Sequence, residues 1–176
     1  MERSERLSTQ VWDALGVGST DSGLWRYIQR QFGYTHLVSV ATLCALLAVR
    51  RGYDAEVCRA AGILHDLWLY INIPEIPTPE NWRIPNGWFD HGRHGAVKAR
   101  EFLHENGEYG EEEISQICQM IANHNDKEDK HDVLSELLKD ADALAHLLSG
   151  TSYGKNYRDL GRLGDVVREL GIDSGD

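Results

Sequence analysis

"AAGILHDLWLYI", residues 60–71, decides the fold of this chain. Ten of its twelve residues are apolar, aromatic or glycine, and the other two, His65 and Asp66, stand together at the centre. A helix that is hydrophobic nearly all round is a buried helix. An ionised carboxylate inside it costs several kcal/mol unless a counter-charge compensates. The stretch therefore predicts a helical core built around a polar centre.

Working outward, helical periodicity continues on both sides. "THLVSVATLCALLAVRRG" predicts a helix from a Thr35 cap to Gly52, with arginines in its last turn and glycine as the stop. "DAEVCRAAGILHDLWLYI" predicts the next, capped by Asp54 and running to residue 71. "DHGRHGAVKAREFLHENG", "EEEISQICQMIANH" and "DVLSELLKDADALAHLLSG" predict three more, and shorter helices fit before Gly33 and between Arg158 and Leu170. No segment alternates as a strand would, so the fold class is all-α: a compact helical bundle. The exception is residues 72–90, "NIPEIPTPENWRIPNGWFD", which hold all four prolines and two tryptophans. A loop of that length is a packed flap or a substrate lid.

The 176 residues suit one domain, 1–176. No stretch reads as a membrane span, and the N-terminus has no apolar signal core, so the expected location is cytoplasmic with no membrane partner. Cys44, Cys58 and Cys118 lack CxxC spacing and read as small buried hydrophobes in a reducing compartment. A formal net charge of −10 argues against binding a nucleic-acid backbone.

The histidines carry the chemistry. Folding the chain about Gly52 and Tyr53 puts His36 opposite Leu69, about one helical turn from His65. Folding it about Gly107–Gly110 puts His94 opposite residue 123, beside His124. Two hairpins that each pair histidines predict a metal site between helices. A divalent cation there would compensate Asp66. On the helix after Asp132, Leu134, Leu137, Leu138, Ala141, Ala145 and Leu148 form the buried stripe, and Asp140 and Asp142 flank it, each about 100° from its centre. Periodicity does not choose between them. His91 reads as a surface residue of a first turn, with an acid or substrate contact as the alternative, and His104, His131 and His146 have exposed-looking neighbours. Trp68 and Tyr70 read as core. Arg93, Lys98 and Lys127 are weak candidates for binding a phosphorylated substrate.

These residues resemble the HD-domain superfamily of metal-dependent phosphohydrolases: a lone histidine, a His-Asp doublet on a later helix and a distant aspartate, here His36, His65-Asp66 and Asp142. The similarity covers roughly residues 34–149. "ADAL" is similar to the family's context for the last aspartate, which favours Asp142. "HGAVKAREFL" and "IANH" resemble segments carrying two further histidines, His94 and His124. The resemblance implies one or two divalent ions of Mn, Fe, Co, Ni or Zn, which suit mixed imidazole and carboxylate ligands. His36, His65, Asp66 and Asp142 would hold one and His94 and His124 a second, with Asp66 bridging. His65 and Asp66 would be catalytic, directing activated hydroxide onto a small phosphorylated molecule, a nucleotide being one candidate. "LWLY" after the doublet departs from the Ile-Gly-Lys of the cyclic-dinucleotide branch, so that substrate does not carry over. A ligand-sensing or partner-binding domain without catalysis and a di-iron oxygenase are the alternatives.

Overall fold

A computed structural model describes residues 2–18, 23–72, 87–150 and 160–172, with backbone alone for 23–27, 87–90 and 160. The described residues are helical with no strand, an all-α bundle. The order is α1 (Arg3–Leu15), α2 (Gly23–Arg51), α3 (Ala55–Leu64), α4 (Leu67–Ile71), α5 (Gly87–Asn106), α6 (Glu111–Asn123), α7 (Val133–Leu148) and α8 (Leu160–Leu170). Residues 73–86, most of the proline- and tryptophan-containing loop, and 151–159 lie outside the described residues.

Local chemistry sets the boundaries. The Asp54 carboxylate accepts from the N–H groups of Glu56 (2.8 Å) and Val57 (3.2 Å) and starts α3. Asp132 does the same for α7 through Leu134 and Ser135, both at 3.1 Å. Such caps satisfy helix-end donors that have no partner within the helix. Two expected boundaries are corrected. Thr35 is no cap: α2 runs through it, and its hydroxyl bonds back to the Gln31 carbonyl at 2.8 Å. The helix expected to run to residue 71 breaks at His65 and Asp66, between α3 and α4, with Asp66 near φ −109° and ψ 9°. The doublet thus lies in a corner of the chain rather than along a helix side.

The core lies between α2, α3, α6 and α7. Leu37, Val40, Cys44, Leu47, Cys58, Ala61, Leu64, Ile117, Ile121, Leu138 and Ala141 are among its buried side chains. The three cysteines are free and buried. Gly62 sets the α2–α3 spacing: a Cβ there would stand 2.6 Å from the Ala41 Cα. That register brings His36 opposite Leu67, two residues nearer the doublet than the turn position implies. On α5, Gly92, Gly95, Ala99 and Leu103 are all buried. A Cβ on Gly92 would meet the Ala122 carbonyl at 2.9 Å, and one on Gly95 the His65 carbonyl at 3.1 Å. These glycines let α5 lie directly on α6 and on the doublet.

Within α2, Ile28–Arg51 is long and apolar enough to cross a membrane by length and composition, contrary to the expectation that no such stretch exists. In the bundle the same helix packs against α3 and α7. Leu37, Val40, Cys44 and Leu47 on it are fully buried, as in a core helix.

Candidate metal centre

Five imidazoles and two carboxylates converge where α2, the α3–α4 corner, α5, α6 and α7 meet. The Asp66 carboxylate stands in the middle. Its Oδ2 lies 3.5 Å from His65 Nε2 and 3.9 Å from His36 Nε2. Its Oδ1 lies 3.3 Å from both His91 Nε2 and His124 Nε2. Asp142 Oδ1 stands 3.4 Å from His36 Nε2, 3.8 Å from His65 Nε2 and 3.3 Å from His146 Nε2. Three sets of ligand atoms, each within 4.8 Å of one another, emerge among the described residues: His36, His65 and Asp66; Asp66, His91 and His124; His36, Asp142 and His146.

The ring orientations follow from the backbone. His65 Nδ1 is 2.8 Å from the Gly62 carbonyl and His124 Nδ1 is 2.7 Å from the Ile121 carbonyl. A carbonyl only accepts, so Nδ1 carries a proton in each ring, and in the neutral ring Nε2 turns a lone pair to the centre. Metal-binding histidines are fixed by this kind of outer hydrogen bond. His91 Nε2 approaches His124 Nε2 to 3.1 Å.

Burial makes the arrangement costly without a cation. His65 is fully buried, and His36, His124 and Asp142 are nearly so. His36 Nε2, His65 Nε2 and Asp66 Oδ1 are buried without a hydrogen bond. Polar atoms left this way cost roughly 1–3 kcal/mol each. Burial pushes the His65 imidazole down to about 3, so it is neutral near pH 7. Burial alone would push both carboxyls up, but the imidazoles around Asp66 hold it below the usual carboxylate range. For Asp142 the Lys127 ammonium, His146 and His36 outweigh burial in the same direction. Burial also pushes His36 down, yet Asp142 and Asp66 beside it raise it overall.

The donor set fits divalent transition ions. Two atoms bound to one ion at about 2.0–2.1 Å and 90–109° stand about 2.8–3.4 Å apart. Four of the seven imidazole–carboxylate distances around Asp66 and Asp142 are 3.3–3.4 Å, and the other three are 3.5–3.9 Å. The sets that meet at His36 and at Asp66 could hold such an ion.

Several expectations are placed differently. His94 does not face the centre: its ring is exposed and stacks on Trp68 at 4.9 Å between centroids. His91, expected at the surface, takes its place beside His124. On α5 the buried stripe from Gly92 to Leu103 lies about 85° from His91 and about 145° from His94, so only His91 reaches inward. His146, assigned nothing from sequence, sits one turn beyond Asp142 and faces it. Asp140 is clamped elsewhere, by Arg51 and Arg162 at 2.7 Å each. Trp68 and Tyr70 are half-buried, and Tyr70 packs against the core. Lys98 pairs with Glu101 at 2.9 Å, and Arg93 is exposed; neither is brought to the cluster. Lys127 is brought there, its Nζ 2.8 Å from Asp142 Oδ2.

This bundle, with a His-Asp corner facing histidines on neighbouring helices, defines a class. The HD-domain family model matches residues 33–147, and the chain belongs to that family of metal-dependent phosphohydrolases. Among curated proteins it is 28% identical over 152 residues to Ribonuclease Y of Pelobacter propionicus and 34% identical over 135 residues to Ribonuclease Y of Cutibacterium acnes. The two alignments take in 81% and 77% of this chain but 25% and 21% of those relatives, so it spans about a quarter of their length or less. No solved structure matches it.

Proposed function

We propose that this chain is a hydrolase of small phosphorylated molecules, nucleotides among them, acting with one or two divalent ions of Mn, Fe, Co, Ni or Zn. The observation that carries the reading is a set of buried atoms without hydrogen bonds gathered about the Asp66 carboxylate: His36 Nε2 and His65 Nε2 beside its Oδ2, and its Oδ1 turned to His91 and His124. Divalent ions bound there supply Lewis acidity toward phosphoryl oxygens and bring the pKa of water toward neutrality.

The chain's own residues prepare the rest. Gly62 and Ile121 carbonyls hold His65 and His124 in the tautomer that presents Nε2. Asp66 offers one oxygen to each side of the centre. Lys127 steadies Asp142 and adds positive charge at the edge of the site, where an anionic substrate would approach. Buried free cysteines accord with a cytoplasmic location.

A second reading, RNA phosphodiester cleavage, is favoured by the name of the relatives, Ribonuclease Y. The formal net charge of −10 weighs against it, because polynucleotide binding draws on clustered Lys and Arg. The test is chelator-treated chain, reloaded with each metal and assayed on phosphomonoesters, nucleotides and an RNA oligomer, with Asp66→Asn as control. Small-molecule hydrolysis that disappears with chelator and in the variant is expected. Cleavage of RNA alone would establish the second reading. Metal uptake with no hydrolysis of any substrate would leave a ligand-sensing domain.

A further inference from the structure

We propose that His146 is itself a ligand of the ion held by His36, His65, Asp66 and Asp142, which makes the two positions of the centre unequal. The inference rests on the metal-binding reading above and specifies its composition. His146 Nε2 stands 3.3 Å from Asp142 Oδ1, and His36 Nε2 stands 3.4 Å from the same oxygen. Their rings stack at 4.6 Å between centroids and 30° between planes, so both turn Nε2 to one carboxylate oxygen from the same side. The other oxygen, Oδ2, is taken by Lys127 at 2.8 Å, which leaves Oδ1 as the atom Asp142 presents.

The helix accounts for the placement. Residues four apart on α7 share a face, so the turn that delivers Asp142 delivers His146 with it. The side chain is 17% exposed and closes the cluster on the α7 side.

The consequence is an asymmetry. One side carries two sets joined at His36, five residues in all: His36, His65 and Asp66, and His36, Asp142 and His146. The other is faced by three among the described residues: Asp66, His91 and His124. A site with three protein ligands keeps positions open for water and substrate, whereas a fuller ligand set holds its ion as structure. The His91–His124 side is therefore the exchangeable side, where a phosphoryl oxygen enters, and the His146 side is the retained one.

The test uses the full chain, stripped with chelator and titrated with Co2+ by visible absorption and with Mn2+ by calorimetry. Wild type takes up metal in two steps. In His146→Ala the tighter step weakens at least about tenfold and its Co2+ band changes, while the weaker step stays within about twofold. His91→Ala gives the reverse pattern. His146→Gln separates ligation from hydrogen bonding and serves if the alanine variant does not fold. It can still donate to Asp142 but supplies no imidazole nitrogen, so it is expected to lose the tight step as well. Wild-type affinity and an unchanged Co2+ band in either variant would reduce His146 to a hydrogen-bond partner of Asp142 and overturn the proposal. A wild-type chain that takes up neither metal would instead remove the metal-binding reading beneath it.

Discussion

Asp66 is the residue on which the site turns, because each of its oxygens faces a different pair of imidazoles. Asp66→Ala should empty both positions, lowering metal per chain to near zero by elemental analysis and abolishing hydrolysis. On α5, His91→Ala should cost about one ion per chain, whereas His94→Ala should leave the metal count unchanged, since His94 rests on Trp68. Equal metal content in both variants would mean that α5 contributes no ligand. The sequence already held His36, the doublet, His124 and Asp142, because hairpin folding and family context act on position along the chain. It does not separate His91 from His94, because position along a helix and direction around it are separate quantities. The missing signal was present in Gly92 and Gly95: two small residues three apart mark the face that a helix presses on its neighbour. His146 is legible too, one turn after Asp142, though its exposed-looking neighbours argue against a ligand.

At the scale of elements, the α2–α3 contact sets the separation of His36 and His65. Gly62→Ala places a methyl group 2.6 Å from the Ala41 backbone, so the helices must part. A loss on the order of 1–3 kcal/mol is expected in denaturant unfolding, together with weaker metal binding. Helix existence was legible from periodicity and caps, and the Asp54 start appears as expected. The break at His65–Asp66 was not, since no proline or glycine marks that corner. On α7, burial pushes the Glu136 carboxyl up, but the His131 N–H, Arg162 and Lys139 outweigh it and hold it at about 2. Its folded value lies below its ordinary 4.5, so its contribution to stability is present above about 4.5 and fades as pH falls toward 2. Glu136→Gln should therefore be less stable than wild type at pH 6, with a difference that shrinks below pH ~4.5. A difference independent of pH would show that the Glu136 charge contributes nothing.

Across the whole molecule, the described helices are tied by ion pairs that stay clear of the centre. Arg51 joins α2 to Asp140 on α7 and Glu169 on α8, each at 2.7 Å, while Arg162 of α8 reaches Glu136 and Asp140. Arg3 of α1 pairs with Glu113 of α6 at 2.9 Å. The fold thereby keeps its shape around a cluster that needs outside charge to be satisfied. Metal should act as a stabilising ligand: at one hundred times Kd an ion adds about 2.7 kcal/mol, visible as a rise in Tm that chelator reverses. The overall class was legible because helical periodicity is repeated along most of the chain and the ligand types recur in order. The substrate was not, since the chemistry that would select it belongs to groups around the centre rather than to the ligands.

The most direct test of the central claim, that this cluster holds divalent ions bridged by Asp66, is anomalous diffraction from crystals of the chain loaded with Mn2+. The account predicts anomalous peaks on both sides of the Asp66 carboxylate, one toward His36, His65 and Asp142 and one toward His91 and His124. Manganese-loaded crystals with no peak within the cluster would contradict it.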